Sequence, residues 1–282
     1  MMHHIVCFSG GESSALVAEA VVRRFGREAV TLLNHDINPN VEDADVKRFK
    51  AEVAAKLGMV ITQASYKGLP ADELPDQFDI SLKNESGGFG FKQPGTGNAF
   101  CTHDLKTKPF AAYLAAHHPP GTAVIYYGFD DDEQHRIARR RMILGGQGYE
   151  TCYPLAEWPD TLESIAEIGI APPLGYSTYK HANCAGCLKG GIQHWYVTYC
   201  HRPDVYAKAS GTEQRLGYSI LADARGGEKK PLFLADLAPV FARMRCAGVP
   251  DTEHYPEGKF KRYLKQYRLP EISLFAPCEC AA

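Results

Sequence analysis

Phe8-Ser9-Gly10-Gly11-Glu12-Ser13-Ser14 joins a short apolar run, His3–Phe8, to a segment, Ser14–Phe25. In that segment Leu16, Val17, Ala20 and Val21 recur at helical spacing until Gly26 stops it. A strand that feeds a helix through two glycines brings backbone N–H groups and the positive end of the helix to one point. Ser9, Ser13 and Ser14 add hydroxyl donors there, so the turn can cradle a phosphate. It is not a Walker loop, since the G-x-x-x-x-G-K-[ST] spacing is missing, and it is not the dinucleotide G-x-G-x-x-G.

The alternation continues outward from this turn. Ala29–Leu33 reads as a buried strand, and Val41–Leu57 as an amphipathic helix with Val46, Phe49, Val53 and Leu57 on one side. Met59–Gln63 and Ala123–Tyr127 read as further strands, and Asp131–Leu144 as a charged helix. This β-α-β-α order predicts a parallel sheet with helices on both faces. Gly68–Ala99, rich in glycine, interrupts the rhythm and reads either as a plain surface loop or as a lid over substrate. After Thr151 a helix-like stretch, Asp160–Ile168, leads through Pro172-Pro173-Leu174-Gly175 into a Cys-rich segment.

At about 150 residues per domain, 282 residues make two domains or one large α/β domain with a subdomain. Hydrophobic residues at 45% and charged residues at 23% exclude a disordered chain. No apolar run approaches the roughly 18 residues of a membrane span, and the N-terminus lacks the features of a signal peptide, so a cytoplasmic location is expected. With 31 Lys and Arg against 33 Asp and Glu, the net charge of −2 leaves a nucleic-acid partner only a local basic patch, such as His135–Arg141 or Lys259–Lys265. Nine cysteines without an export signal point to metal, cluster or thiol chemistry, or to small buried residues, and not to a disulfide framework.

Ser9-Gly10-Gly11-x-Ser13-Ser14 resembles the pyrophosphate-binding loop (PP-loop) of the adenine-nucleotide α-hydrolase superfamily. Many members carry Asp where this chain has Ser13; here the acid stands one residue earlier, at Glu12. Cys101-Thr102-His103-Asp104-Leu105-Lys106-Thr107-Lys108-Pro109 resembles the Cys-Thr-x-x-Leu-Lys-x-x-Pro segment of phosphoadenylylsulfate (PAPS) reductase-like proteins. Gly128 to Arg136 resembles their Gly-x-x-x-x-Glu-x-x-Arg segment, and Tyr153-Pro154-Leu155, Trp158, Pro172-Pro173-Leu174 and Cys184-Ala185-Gly186-Cys187 follow their order. The resemblance spans residues 5–200.

It implies a doubly wound parallel sheet, with a PP-loop nucleotide-binding domain over 1–170 and a Cys-rich C-terminal subdomain over 171–282. It implies ATP or PAPS as ligand, with Mg²⁺, and cleavage of ATP to AMP and pyrophosphate to activate a substrate for sulfur transfer or nucleic-acid base modification. Ser9, Gly10, Gly11, Glu12, Ser13 and Ser14 would hold the phosphates, and Lys106 and Arg136 would offset their charge. Glu133 would hold Arg136 or help carry the cation. The alternative is that these last three lie on a solvated helix face. Asp36, after the second predicted strand, reads as an adenosine contact at the sheet edge or as a turn-forming residue. Partners beyond the nucleotide would be a nucleic acid or a sulfur-donor protein, with oligomerisation open.

Cys184-x-x-Cys187 and Cys278-x-Cys280 are two chelating pairs, enough for a closed tetrahedral zinc site or a [4Fe-4S] cluster. A second arrangement joins Cys101 to Cys184 and Cys187, and a third holds no metal. Two rival functions remain. One is a thiol-dependent PAPS reductase with Cys280 of the terminal Glu279-Cys280 as nucleophile. The other is a nucleotide-sensing or DNA-binding accessory subunit without turnover.

Overall fold

The structure, a computed structural model, describes residues 2–85, 88–93, 97–182, 184–223 and 229–268. The apolar runs that alternate with helical segments in the first half form a five-stranded, all-parallel sheet. Its strands are β1 (His3–Cys7), β2 (Val30–Asn34), β3 (Ile61–Gln63), β4 (Ala123–Tyr126) and β5 (Glu150–Cys152), in the order β3-β2-β1-β4-β5. The central strand pairs Ile5 with Thr31 on one side and with Ile125 on the other. Both faces of such a sheet are covered, and Ile5 and Val6 in the middle of β1 are fully buried.

Alternation along each strand sends successive side chains to opposite layers. Val6 and Leu32 pack with α1 (Glu12–Phe25) and α2 (Ala44–Leu57), through Val17, Val21, Phe49 and Val53. Ile5, Leu33 and Ile125 pack on the other face, against Leu114 and Leu144, which belong to two helices described below. α2 starts where the Asp43 carboxylate accepts the Asp45 N–H at 2.8 Å, and it stops at Gly58 in the left-handed region.

α3 (Gln77–Lys83) and the short α4 (Phe100–Thr102) lie between β3 and β4, followed by a π-helical turn His103–Thr107 and α5 (Lys108–His117), which carries Leu114. After β4 comes α6 (Gln134–Gly145), which carries Leu144, and after β5 the single turn α7 (Pro154–Glu157). The C-terminal part contains α8 (Ile192–His201), α9 (Pro203–Leu216), α10 (Leu234–Cys246) and α11 (Glu257–Arg268). An antiparallel pair, β6 (Leu221–Asp223) and β7 (Lys230–Leu232), joins α9 to α10. Their core unites Trp195, Tyr196, Phe241 and Phe260 with Phe78 and Phe91, so chain from both sides of position 170 contributes to it.

Two expectations need correction. Gly68–Ala99 is not a plain surface loop: it forms α3, and Phe78, Ile80 and Phe91 are fully buried. The apolar residues between its glycines decide its place. Asp160–Ile168 is no helix beyond one 3₁₀ turn, Ile165–Ile168. Ser164 and Glu167 form a capping box at its start and Gly169, at φ 79°, ends it, which leaves room for a single turn. Among the described residues no helix is long and apolar enough to cross a membrane.

Candidate functional site

The connection from β1 leads to one side of the sheet and β4 stands on the other, so the crevice at the carboxyl ends of β1 and β4 is the sheet's switch point. The glycine loop fills it. Gly10 has φ 87°, and an added Cβ would lie 2.9 Å from the Lys50 stem and from Val46. Gly128, just beyond β4, leaves no room either: its Cβ would lie 2.9 Å from the carbonyl carbon and oxygen of Ser13. Close backbone approach from both strands is therefore a requirement of the site. The Ser14 hydroxyl donates to the Gly11 carbonyl at 2.7 Å and accepts the Ser9 N–H at 3.2 Å, which closes the loop on itself. Ser14 is buried, whereas Ser9 and Ser13 are exposed. Gly11 is the N-cap of α1 and offers no side-chain cap; the Ser14 and Ala15 N–H groups donate to its carbonyl at 3.1 and 3.2 Å.

Support comes from beneath. The Asn34 amide at the end of β2 donates to the Phe8 carbonyl at 2.6 Å. Lys50 and Glu42 are both buried and pair at 2.8 Å under Gly10. The second Glu42 oxygen lies 3.4 Å from the Lys47 ammonium. Asp36 belongs to the same set: its carboxylate accepts from Ile37 N–H at 3.0 Å and from Lys47 at 3.3 Å. Both bonds hold its carboxylate just beyond the end of β2.

Glu12 faces away from the loop. Its carboxylate accepts from the Ser164 hydroxyl at 2.9 Å and from the Ile165 N–H at 3.1 Å, at the start of the 3₁₀ turn. Its own N–H donates to the Tyr176 hydroxyl at 2.9 Å. Tyr176 lies on a strap that follows Pro173: Leu174 N–H donates to Asp45 at 2.6 Å and the Tyr176 carbonyl accepts from His254 at 2.7 Å.

Three cations stand near the crevice. Lys106 is exposed in the π-helical turn, close enough to His35 to help burial lower the imidazole pKa. Arg136, on the first turn of α6, pairs with Glu133 and lies 4.0 Å from the centroid of the Phe129 ring. Phe129 in turn stacks on Tyr127 and Tyr153, so the guanidinium caps an aromatic pile at the end of β4. Glu133 also belongs to the capping box with Asp130. Lys189, beyond the Cys pair, has a lowered pKa because of burial, and the positive charges of Lys106 and Arg136 add to the depression.

Cys101, Cys184 and Cys187 fall within electrostatic reach of one another. Burial raises Cys101 and pushes Cys184 up to about 11, and Lys106 opposes both shifts. Among the described residues no group of three or more His, Cys, Asp or Glu has an arrangement able to hold a metal ion. Cys278 and Cys280 lie outside the described residues. Cys7 and Cys152 are pushed up to about 12 by burial and behave as inert packing thiols.

Sequence reasoning did not single out four of these residues. Lys50 carried a signal, a lysine beside Phe49 on the apolar stripe of α2. Asn34, Glu42 and Tyr176 carried none. Trp195 and Tyr196 are fully buried and pack in the core, so neither presents a face on which a base can stack. No protein-family model and no curated protein matches the chain.

Proposed function

We propose that the chain is an adenine-nucleotide enzyme that cleaves ATP between the α- and β-phosphates and thereby activates a substrate. The observation that carries this reading is the Gly10-Gly11 turn at the switch point of the sheet, wedged between the Lys50 stem below and Gly128 beside it. In the step proposed, a substrate oxygen attacks the α-phosphorus, the bond to the bridging oxygen breaks, and pyrophosphate leaves with that electron pair. The leaving group carries most of the developing charge. The positive end of α1 and the exposed hydroxyls of Ser9 and Ser13 suit it, since preorganised dipoles and donors act where charge develops. Lys106 and Arg136 supply positive charge from the neighbouring segments, and the Phe129 ring and Glu133 hold the guanidinium in place.

Neither Glu12 nor Asp36 offers a free carboxylate to Mg²⁺. The Glu12 carboxylate is taken by Ser164 and Ile165, and that of Asp36 by Ile37 and Lys47. The described thiols likewise form no metal-holding group, so no step is assigned to zinc or to a cluster. Pyrophosphate release from ATP, followed in wild type and Ser9→Ala, tests the reading. Release that falls in Ser9→Ala supports it. Equal release from both proteins, or none from wild type with any acceptor, overturns it. Sulfite formed from PAPS in place of pyrophosphate from ATP would assign the chain to sulfonate reduction.

A further inference from the structure

We propose that the chain has a second phosphate site, a cavity of about 400 Å³ between the start of α8 and α11, which takes the phosphodiester backbone of a nucleic-acid strand. The proposal rests on the nucleotide reading above, because it assigns this cavity to the acceptor.

The cavity is built on a rigid floor. His194 is buried, its Nδ1 lies 2.6 Å from the Glu253 carboxylate, and its Nε2 accepts the Cys187 N–H at 3.0 Å. Gly190 packs directly over this ring, where an added Cβ would lie 2.3 Å from the imidazole carbon. Gly191 then starts α8 in extended conformation, φ −78° and ψ −177°, without a side-chain cap. The same arrangement opens α1 at Gly11, φ −91° and ψ 158°, again uncapped. The chain thus repeats a glycine pair before a helix at a second place, and this one opens into a cavity.

Charge is the independent observation. Lys180, Lys189 and Lys261 line the cavity. Of its two acids, Glu253 is committed to His194 and to the Lys180 N–H at 2.9 Å, and Glu257 forms an exposed pair with Lys261. Lys180 and Lys189 are left facing the space without a carboxylate of their own in its wall. One wall, α11, exposes Lys259, Lys261, Arg262 and Lys265 while burying Phe260 and Leu264. Of these cations only Lys261 lines the cavity; the others spread the positive charge over about 9 Å of the helix beside it, more than one phosphate needs, which favours a strand over a single nucleotide. A net charge of −2 makes this local excess stand out. Cys187 also lines the cavity, while Lys189 senses Lys106 and Arg136 of the nucleotide site.

Anisotropy of a labelled single-stranded oligonucleotide, about 12 nucleotides long, tests this on the full chain without ATP. The three lining lysines predict that Kd rises roughly 20-fold between about 50 and 200 mM salt. Lys180→Glu with Lys189→Glu should weaken binding about tenfold or more and flatten the salt slope. Lys180→Gln with Lys189→Gln serves if charge reversal disturbs folding, which the melting curve reports. Ser9→Ala should leave strand binding unchanged, whatever it does to ATP, so the two readings fail separately. The proposal is overturned if wild type binds no strand at low salt, or if folded charge variants bind as well as wild type. Displacement of the strand by an equal concentration of AMP would also overturn it, because the site would then belong to free nucleotides.

Discussion

Lys50→Met removes the cation beneath the glycine loop while keeping an unbranched stem against Gly10. Both partners of the Lys50–Glu42 pair are 5% exposed and 2.8 Å apart. Without Lys50, the Glu42 carboxylate stays buried, with Lys47 at 3.4 Å as its remaining cation. Breaking a buried pair from one side costs about 3–5 kcal/mol, because a charge is stranded without water. With an unfolding entropy of about 2.1 cal/mol/K per residue, 282 residues give about 0.6 kcal/mol/K, so Tm should fall by about 5–8 °C. Adding Glu42→Gln removes the stranded charge and should return at least half of the loss. Calorimetry or circular dichroism melts of wild type, both single variants and the double variant close the cycle. The reasoning fails if the double variant is no more stable than Lys50→Met, since the cost then comes from packing and not from charge.

Three further outcomes follow from individual residues. Gly128→Ala drives a methyl into the Ser13 backbone, so it should cost about 1–3 kcal/mol and lose the stabilisation by ATP that a melting curve detects for wild type; an unchanged ATP shift would contradict the close approach. Glu213 is buried with its oxygens on the Ile220 and Leu234 N–H groups at 2.7 and 2.6 Å, and burial pushes its pKa from 4.5 up to about 7. The folded chain therefore holds a proton that the unfolded chain releases: the contribution is complete below the ordinary value, declines as pH rises and is gone above about 7. The stability of wild type relative to Glu213→Gln should accordingly drop by on the order of 3 kcal/mol from low to neutral pH, and a difference that does not change with pH would refute this. Iodoacetamide at neutral pH should label exposed Cys246 first. Cys184, raised from 9.0 to about 11, has its thiolate fraction cut about 100-fold, and peptide mass spectrometry would show equal labelling of the two if that burial is wrong.

The parallel sheet was legible because its signals are local. β2 and β4 are largely apolar, β1 carries Ile5 and Val6, and α1 and α2 carry their stripe at helical spacing up to a glycine stop. β5 was missed because Glu150-Thr151-Cys152 is three residues long and has no apolar run of its own; pairing with Val124 to Tyr126 makes it a strand. Gly68–Ala99 misled for the opposite reason. Its glycines dominate a reading by composition, while Phe78 and Phe91 take their place from aromatic residues more than 100 positions later in the chain.

The same distinction divides the site. Ser9, Gly10, Gly11 and Ser13 act through their own turn, and a turn can be read from its residues. Glu12 meets partners that its own neighbourhood does not announce: Ser164 and Ile165, more than 150 positions away, donate to its carboxylate. Tyr176 meets the loop across 164 positions and the His194–Glu253 pair spans 59. A tyrosine or a histidine in such positions carries no local mark, because its role is set by where two distant backbones cross. The Glu12 carboxylate in this way ties the glycine loop to the 3₁₀ turn at Ile165.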